Sequence, residues 1–224
     1  MECPLCSLAL PAGSPEFFKD KFRSYFHCSA CSLVFVPTEY HISEEAELAY
    51  YAKHKNGPEH EGYRKFLSRA VVPFQEFVCR ECGGYNVPLS GLDFGCGSSP
   101  TLHLLLGEHG HKTSLYDKYY FPDASLLDVA TSQYDFITAT SVVGHLSQCG
   151  RELDRLWGLL KRGGFLVVMT KRWESLERFA RWHYRTDPTH IMFFHATTFE
   201  WLRKKWDARE MIVSGADVVI FVKA

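Results

Sequence analysis

The sequence predicts an α/β fold whose central sheet is mainly parallel, and three observations support this class. First, apolar strand-like segments alternate with stretches of helical periodicity, which is typical of parallel strands joined by crossover helices. These segments are residues 89–94, 113–116, 134–140 and 165–169. Second, a glycine-rich loop follows the first strand. Third, residues 210–213 and 218–222 flank the turn Ser214-Gly215, so the last strand is expected to run antiparallel.

The helices between these strands are indicated by leucine spacing and by their end signals. One helix is predicted through Leu102 and Leu106, and another through residues 153–160, closed by Gly163-Gly164. The sequence Thr197-Thr198-Phe199-Glu200 predicts a capping box that opens the last helix.

Composition places few other constraints on the class of protein. The chain has 224 residues, of which 46% are hydrophobic and 23% charged, with a net charge of −1. These values argue against disorder and fibrous structure, and they give no global attraction to nucleic acid or anionic membranes. There is no apolar run of eighteen residues and no secretory signal. We therefore expect a cytoplasmic globular protein without membrane association.

Two cysteine pairs near the start predict a metal site. Cys3 and Cys6 form one C-x-x-C pair, and Cys28 and Cys31 form another. Two such pairs present four soft thiolate ligands, which suit a tetrahedral Zn²⁺. Residues 1–40 are therefore predicted to be a structural zinc ribbon, with free buried thiols as the alternative.

Residues 41–88 are predicted to form a helical bridge that covers the cleft of the main domain. Tyr63, Phe66 and Ala70 recur at helical spacing, and Pro73 is expected to kink or end that helix. A third C-x-x-C pair, Cys79 to Cys82, has no partner pair and is interpreted as incidental thiols at a helix end, with half of a second metal site or a redox pair as the alternatives.

The glycine loop points to a nucleoside-containing cofactor. Gly95 and Gly97 lie between a strand and a helix, and Asp117 ends the next strand, where a carboxylate can accept ribose hydroxyl protons. Pro100 stands where a dinucleotide site prefers a third glycine, and Asp93 would repel a pyrophosphate but attract an ammonium group. This Rossmann-like pattern favours S-adenosylmethionine over NAD.

With these motifs, residues 89–224 resemble the class I S-adenosylmethionine-dependent methyltransferases. The matching elements are Asp93-x-Gly95-x-Gly97, Asp117, residues 134–138, Leu160-x-x-Gly163-Gly164-x-Leu166 and the terminal hairpin. The whole chain is also similar to bacterial methyltransferases with a zinc ribbon, whose late segment resembles Tyr184-Arg185-Thr186-Asp187-Pro188-Thr189-His190. This resemblance implies a seven-stranded sheet with a reversed last strand, a domain over 89–224 and transfer of a methyl group.

The resemblance also implies which residues hold the cofactor. They are Asp93, Phe94, Gly95, Cys96, Gly97, Asp117, Lys118, Thr140, Ser141 and Val142. Tyr51, in the bridge, can cover the sulfonium by a cation–π contact, or it can simply pack between the ribbon and the main domain.

His145 is the best candidate for a general base, since it follows the strand at the edge of the cleft and histidine titrates near neutral pH. The alternative is a histidine that packs or caps the next helix. Many relatives carry Glu-x-x-Glu-His here, whereas this chain has Ser141 and Gly144 in place of the acids. We therefore expect no catalytic metal, and no carboxylate from this segment to orient His145.

Residues 171–198 are expected to lie over the acceptor. Tyr184, Asp187 and His190 are assigned to the acceptor site, although Asp187-Pro188 is also typical of a structural turn. Further members of this predicted aromatic wall are Trp173, Trp182, His183, Phe193, Phe194 and His195.

The acceptor is predicted to be a small molecule, anionic or sugar-like. Residues 161–206 carry ten basic and four acidic side chains, which would attract an anion, although a solvated basic surface is the commoner explanation. An RNA acceptor recognised by the ribbon, or a non-catalytic scaffold with this fold, are the alternatives. Residues 1–40 are not notably basic, which disfavours RNA.

Overall fold

Two sheets and six α-helices organise the computed structural model, which describes residues 1–54, 56–84, 87–130 and 133–224. The strands are β1 (Phe18–Lys19), β2 (Ser24–His27), β3 (Val34–Phe35), β4 (Ser90–Phe94), β5 (Lys112–Tyr116), β6 (Tyr134–Thr140), β7 (Leu160–Met169), β8 (Met192–Phe193), β9 (Glu210–Ser214) and β10 (Val218–Val222). The α-helices are α1 (Glu44–Tyr51), α2 (Glu61–Cys82), α3 (Thr101–Glu108), α4 (Cys149–Leu159), α5 (Leu176–Ala180) and α6 (Ala196–Lys205).

The larger sheet has the strand order β5-β4-β6-β7-β10-β9. Its first four strands pair in parallel, and β10 runs antiparallel to both β7 and β9. This arrangement confirms the predicted α/β class and the reversed last strand. The sheet has six strands in the described residues rather than seven, because the chain from 117 to 130 forms a turn and a 3-10 helix at Ala124–Leu127.

Helices cover both faces of this sheet. Helices α2 and α3 pack on one face, where Leu67, Phe74 and Leu106 meet Phe136 and the β7 side chains in one apolar cluster. Helices α4 and α6, together with the N-terminal residues, bury a second cluster on the opposite face. The alternate apolar side chains of β6 and β7 point into both clusters, as expected for a strand covered on two sides.

The predicted bridge contains two helices. Helix α2 continues through Pro73 and ends at Gly83, whose φ of 79° gives a left-handed cap. Of the two outcomes predicted for Pro73, a kink or the end of the helix, the end of the helix is therefore wrong. Burial of one face against the sheet, through residues such as Phe74 and Val78, outweighs the lost backbone hydrogen bond.

The N-terminal segment is joined to the rest of the chain by strand pairing. The smaller sheet has the order β1-β2-β3-β8, so that Val34 pairs with Phe193 and Phe35 with Met192. The Gly150 amide at the start of α4 donates to the Pro4 carbonyl at 2.9 Å. A side chain at Gly150 would lie 2.3 Å from the Leu5 carbonyl oxygen, so this close contact requires glycine.

Among the described residues, no helix combines the length and the apolar character needed to cross a membrane.

Candidate active site

The glycine loop joins β4 to α3 at the carboxyl end of the sheet. Gly95 and Gly97 have φ values of 75° and 70°, a region that side chains with a Cβ rarely adopt. A Cβ at Gly95 would also lie 2.4 Å from the Val142 Cγ2 atom. Nothing lies within 4 Å of a Cβ built on Gly97. The loop backbone is therefore open to a ligand on that side.

Asp117 is fixed directly beside this loop. Its Oδ2 accepts a hydrogen bond from the Gly97 amide at 3.0 Å, and its Oδ1 accepts from the Tyr119 and Tyr120 amides at 2.9 and 3.2 Å. Three backbone donors hold the carboxylate in one orientation. Oδ2, which accepts only the Gly97 amide, retains a further acceptor position, which a ribose hydroxyl can use.

Asp93 lies beneath the loop rather than in the cleft. It is buried in β4, where its Oδ1 accepts from the Thr138 hydroxyl at 2.9 Å. Burial raises the pKa of Asp93 to about 7, against the opposing effect of the Thr138 hydrogen bond. Burial, and then the charge of the Asp93 carboxylate, raise the pKa of Tyr63 of α2 to about 12. Sequence reasoning did not single out Tyr63 as a site residue.

A cleft of about 740 Å³ opens above the loop. It brings together every residue predicted to contact the cofactor except Asp93, and all four predicted acceptor-side residues. Its lining includes Tyr51, Tyr63, Phe94, Gly95, Cys96, Gly97, Asp117, Lys118, Thr140, Ser141, Val142, His145, Tyr184, Asp187 and His190.

Helix α1 lies across the mouth of this cleft. Glu47 accepts from the Lys118 ammonium at 2.8 Å and the Tyr119 hydroxyl at 2.5 Å through Oε2, and from the Tyr51 hydroxyl at 3.0 Å through Oε1. These bonds tie the helix to the segment after β5, and they pair the charge of Lys118. The ring of Tyr51 lies 5.9 Å from that of His145. Glu47 was not predicted, because a helical acid usually marks a solvated face.

His145 ends the 3-10 helix Val143–His145 that follows β6. Its Nδ1 lies 3.0 Å from both the carbonyl oxygen and the hydroxyl oxygen of Thr189. Since a carbonyl oxygen only accepts, Nδ1 carries the proton and Nε2 keeps its lone pair. Burial lowers the pKa of His145, so the neutral imidazole is the prevailing form at neutral pH.

A carboxylate reaches His145 through Thr189. The Thr189 hydroxyl donates to Asp187 Oδ1 at 2.6 Å, and the Thr189 amide donates to the same oxygen at 2.8 Å. We refer to His145, Thr189 and Asp187 as the His–Thr–Asp chain. It supplies the orienting carboxylate that the residues just before His145 lack. Thr189 was missed in the sequence because its link to His145 spans 44 residues.

His190 explains the glycine at position 144. Its ring packs 4.9 Å from that of His145 and is buried, and its Nε2 has no hydrogen-bond partner among the described residues. A Cβ at Gly144 would lie 2.6 Å from His190 Nε2, so a glutamate there would displace the imidazole. Burial, and then the neighbouring His145, lower the pKa of His190 well below its usual value.

The predicted aromatic wall divides into two groups. His183, Tyr184 and His190 line the cleft, with the Tyr184 ring 5.2 Å from that of His190. The remaining rings pack between the N-terminal residues and the core. This second group comprises Trp173, Trp182, Phe193, Phe194 and His195.

The basic side chains of residues 161–206 are dispersed rather than focused on the cleft. Lys161 pairs with Asp135, Lys205 with Asp154 and Arg185 with Asp20, each at 2.6–2.7 Å. None of the lysines or arginines of this stretch lines the described cleft. Lys171 instead lines a small adjoining cavity of about 20 Å³, beside Tyr184 and Asp217.

The four N-terminal cysteines form one cluster. Their sulfur atoms all lie within 4.8 Å of one another, and the Cys3–Cys31 and Cys6–Cys28 sulfurs are 3.5 Å apart. Four thiolates bound to Zn²⁺ at about 2.3 Å in a tetrahedron would have sulfur separations in this range. The donor set and its spacing therefore fit a structural zinc ion.

Comparison with known proteins identifies the family. The profile of the family described as "Methyltransferase domain" matches residues 61–208, more than half of the chain. No curated protein matches significantly. Solved structures that are similar include a S-adenosylmethionine-dependent methyltransferase, described as a possible histamine N-methyltransferase, from Thermotoga maritima. It is 16% identical with a TM-score of 0.43, over 73% of this chain and 94% of that one.

Two other solved structures extend the likeness. An O-methyltransferase family protein from Burkholderia thailandensis is 14% identical, with a TM-score of 0.49 over 80% of this chain and 67% of that chain. Magnesium protoporphyrin IX methyltransferase from Synechocystis, solved with S-adenosylmethionine bound, is also 14% identical. Its TM-score is 0.47 over 82% of this chain and 98% of that chain. By the family match to residues 61–208, and with this sheet order, the chain belongs to the class I S-adenosylmethionine-dependent methyltransferases.

Proposed function

We propose that the protein transfers a methyl group from S-adenosylmethionine to a hydroxyl group of a small, sugar-like acceptor. One observation carries the proposal: a single cleft joins the glycine loop and Asp117 to the His–Thr–Asp chain. A site for a nucleoside cofactor and a neutral, oriented base therefore face the same space.

The cofactor would be held by the loop between β4 and α3. Gly97 leaves the backbone open to the ligand, the Asp117 carboxylate is oriented to accept ribose hydroxyls, and residues 140–142 line the same cleft. Cys96, Phe94 and Lys118 complete this side. Tyr51 is positioned to contact the positive sulfonium by a cation–π interaction.

His145 is proposed as the general base. The bound cofactor supplies an activated methyl group, so the protein has to align the acceptor and remove its proton. As the bond from methyl carbon to acceptor oxygen forms and the carbon–sulfur bond breaks, His145 Nε2 takes the hydroxyl proton. Thr189 and Asp187 stabilise the imidazolium that results, because the Thr189 hydroxyl accepts a hydrogen bond from His145 Nδ1 and donates one to the Asp187 carboxylate.

The lining of the acceptor side favours an uncharged polar molecule over an anion. The basic residues that suggested an anionic acceptor lie elsewhere, whereas Asp187, Tyr184 and His190 line this part of the cleft. A carboxylate accepts hydrogen bonds from hydroxyl groups, and tyrosine rings pack against sugar faces. A phosphate would meet the Asp187 charge in a part of the cleft that no lysine or arginine of residues 161–206 lines.

The N-terminal segment is proposed to bind one structural Zn²⁺ through Cys3, Cys6, Cys28 and Cys31. We also propose the division into a zinc ribbon at 1–40, a helical bridge at 41–88 and a methyltransferase domain at 89–224.

Calorimetric titration of S-adenosylmethionine into the zinc-loaded full chain tests the cofactor site. We expect micromolar binding that is lost in Asp117→Ala and kept in Asp123→Ala, an exposed aspartate away from the loop. Absence of binding to the folded wild-type protein would overturn the proposal.

Transfer of tritiated methyl groups into extracts tests the acceptor. Label is expected in a neutral metabolite fraction, and in neither an anionic metabolite fraction nor RNA. Label in RNA alone would instead support an RNA methyltransferase. Cofactor binding without any labelled product would support a scaffold.

A further inference from the structure

We propose that the N-terminal ribbon positions the acceptor half of the active site, with Arg23 and Asp20 as positioning residues. This inference rests on the proposed role of His145. In this arrangement, the ribbon holds the backbone of residues 185–188, and that backbone places Asp187 and Thr189 against the imidazole. The cofactor half of the cleft is built without the ribbon.

Arg23 is the centre of this contact. The residue is only 7% exposed, although it carries a guanidinium group. Its Nη2 donates to the carbonyls of Arg185 at 2.7 Å and Asp187 at 2.8 Å, and its Nη1 donates to the Pro188 carbonyl at 3.3 Å. One side chain from the turn after β1 thus binds three carbonyls of the distant segment. The planar fork of donors in arginine suits this multiple contact, which a lysine ammonium cannot reproduce.

Asp20 holds the same segment from a second direction. Its Oδ2 accepts from Arg185 Nη1 at 2.6 Å and from the Tyr25 hydroxyl at 3.0 Å. The Tyr25 hydroxyl in turn accepts from Arg23 Nε at 2.8 Å. Both members of the Asp20–Arg185 ion pair are mostly buried, with side chains 16% and 15% exposed. A buried ion pair with several hydrogen bonds is geometrically demanding, so it fixes position more than it adds stability.

The position of this backbone sets the orientation of His145. Thr189 offers its carbonyl and hydroxyl oxygens to His145 Nδ1, and the residue follows directly after the Pro188 carbonyl that Arg23 binds. The Ile191 amide then donates to the Gly144 carbonyl at 2.8 Å, which closes the segment onto the 3-10 helix of His145. A shift of residues 185–188 would therefore break the proton-carrying contact of Nδ1 and free the imidazole to rotate.

The cofactor half shows no comparable dependence. Asp117 is held by the amides of Gly97, Tyr119 and Tyr120. Within the described part of the chain, no hydrogen bond or ion pair joins residues 1–40 to the glycine loop or to Asp117. Loss of the ribbon contact should therefore separate the two halves functionally.

The test compares Arg23→Met with Arg181→Met, which replaces an arginine whose side chain is 82% exposed. Both variants are prepared as zinc-loaded full chains. We measure affinity for S-adenosylhomocysteine by calorimetry, amide hydrogen exchange of residues 185–191, and the ¹⁵N shifts of the His145 ring. In Arg23→Met, we expect the affinity to stay within twofold, exchange to rise at least tenfold, and the fixed Nδ1–H tautomer to be lost. Arg181→Met should match the wild type in all three.

Arg23→Lys and Asp20→Asn keep the proposal testable if Arg23→Met does not fold. Both variants should also lose the fixed Nδ1–H tautomer of His145, with a smaller rise in amide hydrogen exchange than in Arg23→Met. Unchanged amide exchange and an unchanged His145 tautomer in these folded variants would overturn the proposal. A fall in cofactor affinity beyond twofold that accompanies the loss of the fixed tautomer would overturn it as well. A wild-type protein that fails to bind the cofactor would overturn the proposed function alone, because exchange and tautomer still report on the contact with Arg23.

Discussion

The two halves of the cleft are built in different ways. The cofactor half comes from consecutive strand ends: the glycine loop follows β4, Asp117 follows β5, and residues 140–142 span the end of β6. The acceptor half combines His145 after β6 with residues 184–190 from beyond α5, a segment that Arg23 holds in place. One half is local in the sequence, and the other depends on contacts between distant segments.

This difference indicates where substitutions can change acceptor specificity without loss of cofactor binding. The parallel sheet fixes the cofactor half, because each loop starts at a strand end whose register is set by its neighbours. The acceptor half rests on side chain to backbone bonds, such as those of Arg23 and Thr189. Substitutions there should alter methyl transfer while leaving cofactor affinity intact.

The largest effect is expected from His145→Gln. Removal of a general base costs roughly 10²-fold to 10⁴-fold in rate, so turnover of the labelled acceptor should fall by that amount. Affinity for S-adenosylmethionine should stay within twofold, because the substitution lies on the acceptor half. The control is His109→Gln, at an exposed histidine that ends α3. Retention of full turnover in His145→Gln would remove the histidine from the mechanism.

Gly95→Ala should instead lower the affinity for the cofactor, because it lies in the cofactor half. Its φ of 75° and the 2.4 Å approach of Val142 to a built Cβ combine left-handed backbone strain with a clash. Each of these typically costs about 1–2 kcal/mol. Cofactor affinity should therefore fall by roughly tenfold or more, measured by calorimetry. Gly107→Ala, in the last turn of α3 with open space around its Cβ, is the matched control. Equal affinities in the two variants would contradict a tight glycine loop.

The features predicted from the sequence are mostly those of the local half. Strand periodicity and glycine spacing indicated β4, β6, β7 and the reversed β10, because burial of each strand and the conformation of each loop depend on neighbouring residues. The described residues between β5 and β6 hold no strand, which was not foreseen, since the seventh strand came from the family resemblance rather than from a pattern in residues 117–133.

The acceptor half resisted prediction for a physical reason. The pairing of β3 with β8, the bonds of Arg23 and the link from His145 to Thr189 join segments far apart, and none leaves a periodic signal.

The start of the last helix also differs from the prediction. Helix α6 is capped by His195, whose ring accepts from the Thr197 amide while Thr198 Oγ1 accepts from the His195 amide. The predicted box at 197–200 is therefore displaced by two residues, because a histidine takes the capping position.

Thr189→Val should have an intermediate effect that is confined to the acceptor half. Valine keeps the shape but removes the hydroxyl that links His145 to Asp187. A hydrogen bond to a charged group contributes roughly 1.5–3 kcal/mol, so turnover should fall about tenfold or more while cofactor affinity is unchanged. The acidic limb of the rate profile should also shift to lower pH, because the imidazolium loses the Asp187 link. Thr186→Val serves as the control, because this exposed threonine lines the same cleft but donates to the His183 carbonyl rather than to Asp187. A rate loss in both variants would assign the effect to the loop as a whole.

The last effect concerns stability rather than turnover, and it should arise beneath the cofactor half, in the pH dependence of unfolding. Burial raises the pKa of Asp93 to about 7 in the folded protein, whereas an unfolded aspartate titrates near 3.9. Between these values the folded chain holds a proton that the unfolded chain has released, so Asp93 makes stability fall as pH rises from about 4 to about 7. Asp93→Asn should lack this decline in urea unfolding of the ligand-free protein.

Thr138→Val tests the same titration of Asp93. The Thr138 hydroxyl donates a hydrogen bond to Asp93, and this bond lowers the pKa of Asp93 against the effect of burial. Its removal should extend the decline in stability to higher pH than in the wild type. Asp93→Asn and Thr138→Val should therefore move the pH profile in opposite senses. A shift of both profiles in the same sense would show that the decline comes from other titrating groups, and the cofactor half would then lack a titrating carboxyl beneath its loop.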